Sequence, residues 1–339
     1  MTWDSVEPPL SEKVEFLRSI SRGEEESFAL ETNMSWVFLS GDRVLKLKKP
    51  VTFPFLDFST LARREAACRA ELALNRSLAP DVYLAVLPLR AHMQGMSLNE
   101  EGHTVDWLVA MRRLDRRYFL DHVLQTGTLN LLSVDHVGAA LARFYRSTPR
   151  PLPSAAWVRG WEQKLHDNSE ILLLRRFDLP SGLVRRIDRV QRQFLVRRRQ
   201  LLLNRVRGGR IVEGHGDLRP EHIWLGNPPQ IIDRLEFNRS LRLIDPFDEI
   251  AFLSVECERL GAAWIGARLV KKLQASLHDS VPTELFSFYR CYRATMRARL
   301  TIAHLLSPAP RMPEKWLPVA LEYLRIADRE ALHLATRLG

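Results

Sequence analysis

Apolar positions alternate with a period of two in much of the first third of the chain and recur at helical spacing through most of the rest. Near the start, Pro9-Leu10-Ser11-Glu12 supplies a cap with a negative first turn, and Val14, Leu17 and Ile20 follow at helical steps. This predicts a short leading helix within residues 1–29. From Glu31 the pattern turns to strands: residues 35–39, a Ser-Gly-Asp turn and residues 43–48 predict a hairpin. On its second strand Val44, Lys46 and Lys48 share one face and Leu45 and Leu47 the other. Residues 59–79 predict a helix capped by Ser59 or Thr60, with Leu61, Cys68, Leu72 and Leu78 as its apolar positions. Residues 82–89 and 105–111 predict two further strands, so a first, β-rich part closes near residue 112.

The remainder reads as mostly helical. Val137, Leu141, Phe144 and Tyr145 define a helix over residues 133–146, ended by Pro149, Pro151 and Pro153. Residues 157–207 form an arginine-rich helical region, and residues 262–278, 284–306 and 313–338 predict three packing helices. Asp245 as N-cap, Pro246 at the first helical position and Asp248 at the third specify one more helix start.

Residues 211–238 interrupt the helices. A short strand (211–213) leads into a polar loop with His215-Gly216-Asp217. An apolar strand (223–225), a Gly-Asn-Pro-Pro turn and a return strand (230–232) ending in Asp233 complete the stretch. This is a hairpin signal, and such a hairpin is expected to turn Asp217 and Asp233 toward one another. Two converging carboxylates are what phosphoryl transfer needs, one as base and one as metal ligand. Read singly, each Asp is a common turn cap and the lysines are a basic strand edge.

The ordered set of strand, His-Gly-Asp loop, strand, turn, strand and Asp resembles the aminoglycoside phosphotransferase and choline kinase branch of the protein-kinase-like fold. The resemblance covers residues 31 to 260 or so and implies an α+β, two-lobed architecture. Residues 1–29 would lead, 30–112 would form a small β-rich nucleotide-binding lobe, and 113–339 a larger helical lobe with the catalytic loop and substrate-binding helices. It implies ATP with Mg2+, or Mn2+ in its place, and a small-molecule acceptor bearing a hydroxyl.

Carried onto this sequence, Asp217 is the expected base, His215 a hydrogen-bonding brace and Arg219 a counter-charge to the transferring group. Asp233 is the expected metal ligand. Lys46 fits the phosphate-contacting lysine best, with Lys48 second, and Glu71 fits its helix partner, ahead of Glu65. Residues 111–114 resemble the hinge whose backbone holds adenine, and Asp245 and Asp248 are expected to buttress the loop. Two positions depart from the pattern. Residues 31–35, where a phosphate-covering loop is usually glycine-rich, contain no glycine, which leaves Asn33 and Ser35 as the phosphate contacts. The usual Asn at the end of the catalytic loop is His222, an imidazole that suits softer metals than magnesium. Glu236, or Glu221, is then the expected substitute ligand. These departures motivate an alternative, a nucleotide-binding pseudokinase with a regulatory or scaffold role.

Bulk properties narrow the classes further. With 46% hydrophobic and 27% charged residues, the 339-residue chain has the balance of a globular protein large enough for two cores. No run of about eighteen apolar residues predicts a membrane span, and the first residues lack the apolar core of a signal peptide. Cys68, Cys257 and Cys291, widely spaced and odd in number, suit reduced thiols in a cytoplasm. The net charge of +10 favours anionic partners, an anionic substrate among them. Between Arg175 and Arg210 stand twelve Arg against two Asp, a solvated helix face or an electropositive wall. A basic nucleic-acid-binding protein is the third reading, and the absence of an RNA-binding aromatic motif or zinc spacing argues against it.

Overall fold

The computed structural model describes residues 7–21, 27–99, 101–151 and 155–338. Parts of the expected leading segment (1–6 and 22–26) and Pro153 lie outside them. By internal contacts the chain divides into two units, one made of the residues up to Phe119 with His222–Ser240, the other of Leu120–Glu221 with the residues from Leu241 on.

In the first unit, helix α1 (Leu10–Ser21) precedes strands β1 (Phe28–Glu31), β2 (Ser35–Ser40) and β3 (Arg43–Lys48), the last two forming the expected hairpin. The small hairpin of β4 (Thr52–Phe53) and β5 (Leu56–Asp57) leads to helix α2 (Leu61–Asn75), whose first turn is capped by Thr60 accepting from Arg63 N. Strands β6 (Tyr83–His92), β7 (Gly95–Ser97) and β8 (His103–Arg112) complete a six-stranded antiparallel sheet in the order β1-β2-β3-β8-β6-β7. Its two faces hold separate cores. Val14 and Leu17 of α1 pack with Phe38, Leu47 and Leu108, while Cys68 of α2 packs with Ala79, Val82, Tyr83 and Val109. Ile20, expected on the buried stripe of α1, is 45% exposed. Lys13 is buried instead, its ammonium 2.8 Å from Asp106 Oδ2, and Arg64 reaches the other oxygen of that carboxylate at 2.8 Å. Pairing of this kind is the condition for burying such charges.

The second unit opens with α3 (Leu120–Thr126), α4 (Leu131–Ser147), α5 (Ala155–Leu172), α6 (Ser181–Arg197) and α7 (Arg199–Arg207). Strand β9 (Val212–Glu213) follows. The chain then supplies the first unit with a hairpin of β10 (Ile223–Trp224) and β11 (Gln230–Ile231), in the register Ile223 to Ile231 and Trp224 to Gln230. After α8 (Arg239–Arg242), strand β12 (Leu243–Ile244) pairs with β9, a partner the sequence did not announce. Helices α9 (Pro246–Arg259), α10 (Trp264–Leu277), α11 (Thr283–Ile302) and α12 (Pro313–Leu338) complete the unit, with α11 packed against α12, α9 and α5. Trp161, Phe194, Phe288, Tyr289 and Tyr292 form its aromatic centre, Phe194 stacking on Phe288 at 4.2 Å between ring centroids.

The arginine-rich stretch divides by burial. Arg185, Arg189 and Arg192 lie exposed on one face of α6, whereas Arg205 is buried and spans Asp245 and Asp279 with both ends of its guanidinium. All three cysteines are buried and free. No helix among the described residues is long and apolar enough to cross a membrane.

Candidate active site

Strand alternation places Lys46 and Lys48 on one face of β3, and both reach the same side chain on α2. Lys46 Nζ lies 2.9 Å from Glu71 Oε1 and Lys48 Nζ 2.6 Å from Glu71 Oε2. Each lysine also meets a carboxylate from the segment after β11: Lys46 that of Asp233 at 2.9 Å, Lys48 that of Glu236. The five groups differ in access. Lys48 and Glu71 side chains are 1% exposed, and Lys48 also lies 5.0 Å from the Phe58 ring centroid. Lys46 and Asp233 are 16% and 43% exposed, so theirs is the wet edge of the cluster. Of the two lysines, Lys46 is the one an incoming anion can reach.

The segment carrying Asp233 is fixed by backbone contacts. Asn75, at the end of α2, accepts from Arg234 N at 2.8 Å and donates to Arg234 O at 3.3 Å. Asp233 N donates to Tyr83 Oη at 3.0 Å, and Ile232 N to His222 O at 2.9 Å, so the hairpin returns Asp233 beside His222. His222 Nε2 stands 3.5 Å from Asp233 Oδ2. Asp233 adopts φ 63°, a left-handed conformation that Asp tolerates better than most residues and that aims its side chain apart from the run of the chain.

Electrostatics follow the geometry. Burial opposes the Lys46 charge, but Asp233, Glu71 and Glu236 outweigh it and hold its pKa well above the ordinary lysine value. Lys48 is raised in the same way, by Glu236 and Glu71. Burial pushes the Glu71 carboxyl up, yet Lys46 and Lys48 together bring it below its usual value. For Glu236 burial prevails over Lys48, and its carboxyl is raised.

In the second unit the His-Gly-Asp loop hangs on Glu249, a buried carboxylate on α9. Glu249 accepts from His215 N at 3.0 Å, from Gly216 N at 2.6 Å and from the Tyr145 hydroxyl at 2.7 Å. Gly214 permits the approach: a Cβ there would stand 2.5 Å from Ile244 Cγ2 and 2.9 Å from Glu249 Oε2. Gly216 takes φ 92°, open to glycine at little cost. His215 is buried, and its Nδ1 accepts from Asp217 N at 3.3 Å. Arg219 Nη2 lies 3.0 Å from Asp217 Oδ2, and its Nη1 2.7 Å from Glu221 Oε1. Asp245 caps α9, accepts from Phe247 N and holds Arg205, while Asp248 pairs with Arg293 at 2.7 Å.

Lys46, Lys48, Glu71, His222, Asp233 and Glu236 are therefore gathered in the first unit, and His215, Asp217 and Arg219 in the second. Ser35 is buried at the start of β2, paired in register with Lys48, and Asn33 is exposed in the preceding turn. Glu65 pairs with Arg69 on the outside of α2, which leaves the inward position to Glu71. Three supporting residues were not anticipated: Glu249, Tyr83 and Asn75. Each acts across the fold on a distant backbone group, and nothing local in the chain marks such a role. We expect Glu249→Gln, which sets an amide NH2 against a backbone N–H, to destabilise the protein by about 1–3 kcal/mol, read as a lower urea midpoint.

Among the described residues no three His, Cys, Asp or Glu side chains form a metal-holding group. Glu236 faces Lys48, and Asp233 is the accessible carboxylate. Magnesium is commonly held by one or two carboxylates together with substrate phosphates and waters. Asp233 suits that role, in a cluster where three carboxyl groups meet two ammonium groups.

No family model matches the chain. It is 32% identical over 313 residues to uncharacterised proteins of Mycobacterium tuberculosis and Mycobacterium bovis, over 91% of this chain and 60% of each relative. The chain thus spans about three fifths of the length of these relatives. In structure it is similar to a choline/ethanolamine kinase family protein from Mesorhizobium loti, with TM-score 0.56 and 16% identity over 96% of this chain and 97% of that one. It is also similar to a microcompartment-associated aminopropanol kinase, with TM-score 0.52 and 14% identity over 96% of this chain and 100% of that one. At such identities the likeness is one of fold: this chain has the two-lobed protein-kinase-like fold found in those kinases.

Proposed function

We propose that the protein is an ATP-dependent phosphotransferase acting on a hydroxyl of a small molecule. The observation that carries this reading is Lys46, fixed between Glu71 and Asp233 at 2.9 Å from each. A lysine so held cannot wander on its flexible stem, and the position costs no reorganisation when phosphate arrives. ATP would supply the phosphoryl group, and a divalent cation, Mg2+ or Mn2+, would neutralise charge on its phosphates. Asp233 would hold that cation, and Lys46 would contact the phosphates, with Asn33 and Ser35 as the neighbouring polar groups. The backbone of residues 111–114 would hold adenine. Asp217 would orient the acceptor hydroxyl and take its proton, braced by His215, and Arg219 would balance charge on the group in transfer. The kinase names of the structural neighbours support the same reaction class.

The test is thermal melting of wild type and Asp233→Asn with ATP plus magnesium or manganese. A ligand that binds only the native state stabilises it by about 2.7 kcal/mol at a hundredfold excess over Kd. A metal-dependent rise in wild type that the variant loses is expected. No rise with either metal would end the ATP-binding reading. A second reading, nucleotide binding without transfer, draws on His222, whose imidazole stands beside Asp233 where the family pattern has Asn. It predicts the same melting shift with no transfer to any acceptor.

A further inference from the structure

The second unit carries more cationic chemistry around Asp217 than proton transfer requires. Arg297, on α11, donates from Nε to Glu256 Oε1 at 2.6 Å and from Nη2 to Tyr323 Oη at 3.4 Å. Tyr323 in turn donates to Glu256 at 2.9 Å, and Arg259 Nε donates to Tyr323 at 3.0 Å. Within this network the carboxylate is sunk and the guanidinium is not: the Glu256 side chain is 3% exposed and that of Arg297 19%. What the pair shows to solvent is therefore positive, and donors of Arg297 remain that neither Glu256 nor Tyr323 occupies. Burial works against the Arg297 charge, and Glu256, Tyr323 and Asp217 raise its pKa over that opposition. Glu256, which holds Arg297, stands about two turns along α9 from Glu249, which holds the loop carrying Asp217. Arg219, 22% exposed, stands on Asp217 itself.

Building on the phosphotransferase reading above, we propose that the acceptor carries an oxyanion, a carboxylate or a phosphate ester, besides its hydroxyl, and that Arg297 receives it. A planar guanidinium with free donors matches both oxyanions, and such charge-assisted bonds are the strong ones. An ammonium-bearing acceptor would meet like charge there, which is discrimination by repulsion. Glu256 and Tyr323 hold the guanidinium in one orientation before the acceptor arrives, so little rotamer entropy remains to be lost on binding.

Four matched probes test this with the full chain, ATP and magnesium: glycerol, ethanolamine, glycerate and glycerol 3-phosphate. The last two separate carboxylate from phosphate as the preferred oxyanion. ADP release is measured for each, and melting is followed with each probe in parallel. We expect an anionic probe to be used with a KM about tenfold to a hundredfold below that of glycerol, the worth of one charge-assisted bond. Arg297→Met should erase that difference in KM. Because this variant leaves Glu256 without its cation, Arg297→Lys and the charge-neutral pair Arg297→Met with Glu256→Gln are measured beside it. Preference for ethanolamine or glycerol, or an anion KM indifferent to all three variants, overturns the proposal. If no probe is phosphorylated, the melting data decide. An anion-dependent rise in wild type that the Arg297 variants lack sustains the anion site and counts against phosphoryl transfer. A nucleotide-dependent rise with no anion-dependent one overturns the anion site alone.

Discussion

Asp217→Asn should lower phosphoryl transfer by about a hundredfold to ten-thousandfold, the range supplied by a positioned general base. Asn keeps the shape and accepts one hydrogen bond from Arg219, but it cannot take the hydroxyl proton. The loop itself should stay in place, because Glu249 holds it through the His215 and Gly216 amides. The loss is therefore expected in kcat, with the melting shift produced by ATP and magnesium retained. Measuring both on the same preparation separates a missing base from a misfolded loop. An Asp217→Asn protein that turns over within a few-fold of wild type would move the base elsewhere.

Glu71→Gln should strongly destabilise the first unit. Glu71 is the shared counter-ion of Lys46 and Lys48, and both it and Lys48 are almost wholly buried. Removing one partner from a buried ion pair costs about 3–5 kcal/mol, because the remaining charge keeps its desolvation penalty. Asp233 and Glu236 remain as partners, so the lower part of that range is expected. Glu71 also orients Lys46, so the variant should bind ATP more weakly as well as unfold at lower denaturant concentration.

The acid limb gives an independent reading. The Glu71 carboxyl is held below its ordinary value of 4.5. Its contribution is therefore complete at neutral pH and is lost as pH falls through 4.5 toward the folded-state value. Glu236 acts in the opposite sense. Its raised carboxyl favours the folded state at low pH, and that advantage disappears as pH rises above 4.5. Wild type should accordingly lose stability below pH 4.5 more steeply than Glu71→Gln, whereas Glu236→Gln should depart from wild type above pH 4.5, where it lacks the stability that wild type gains from the raised Glu236 carboxyl as pH falls. Urea midpoints across this pH range would show both departures.

Much of this arrangement is legible in the chain. Strand alternation in residues 43–48 and helical spacing in residues 61–75 are local patterns, and each predicts which face turns inward. The β10–β11 hairpin and the Asp245-Pro246 helix start are likewise written in adjacent residues, because turn and cap chemistry act over a few positions. Other features are not local. Choosing Lys46 over Lys48 as the accessible lysine depends on Phe58 and Glu236 closing around Lys48, and neither adjoins it in sequence. Glu236, expected as a substitute metal ligand, is paired with Lys48. Arg205 stands in a run of arginines that looks solvent-facing, yet it is buried between two aspartates.

By itself, then, the sequence determined the β-rich first part, the largely helical remainder and the hairpin that ends before Asp233, since periodicity, caps and turns are short-range properties. Tertiary structure alone decided which charges are buried and which carboxylate each cation meets. It also decided that Glu249, Tyr83 and Asn75 hold the critical backbone in place. Desolvation and pairing depend on residues distant in the chain, and only folding brings those together.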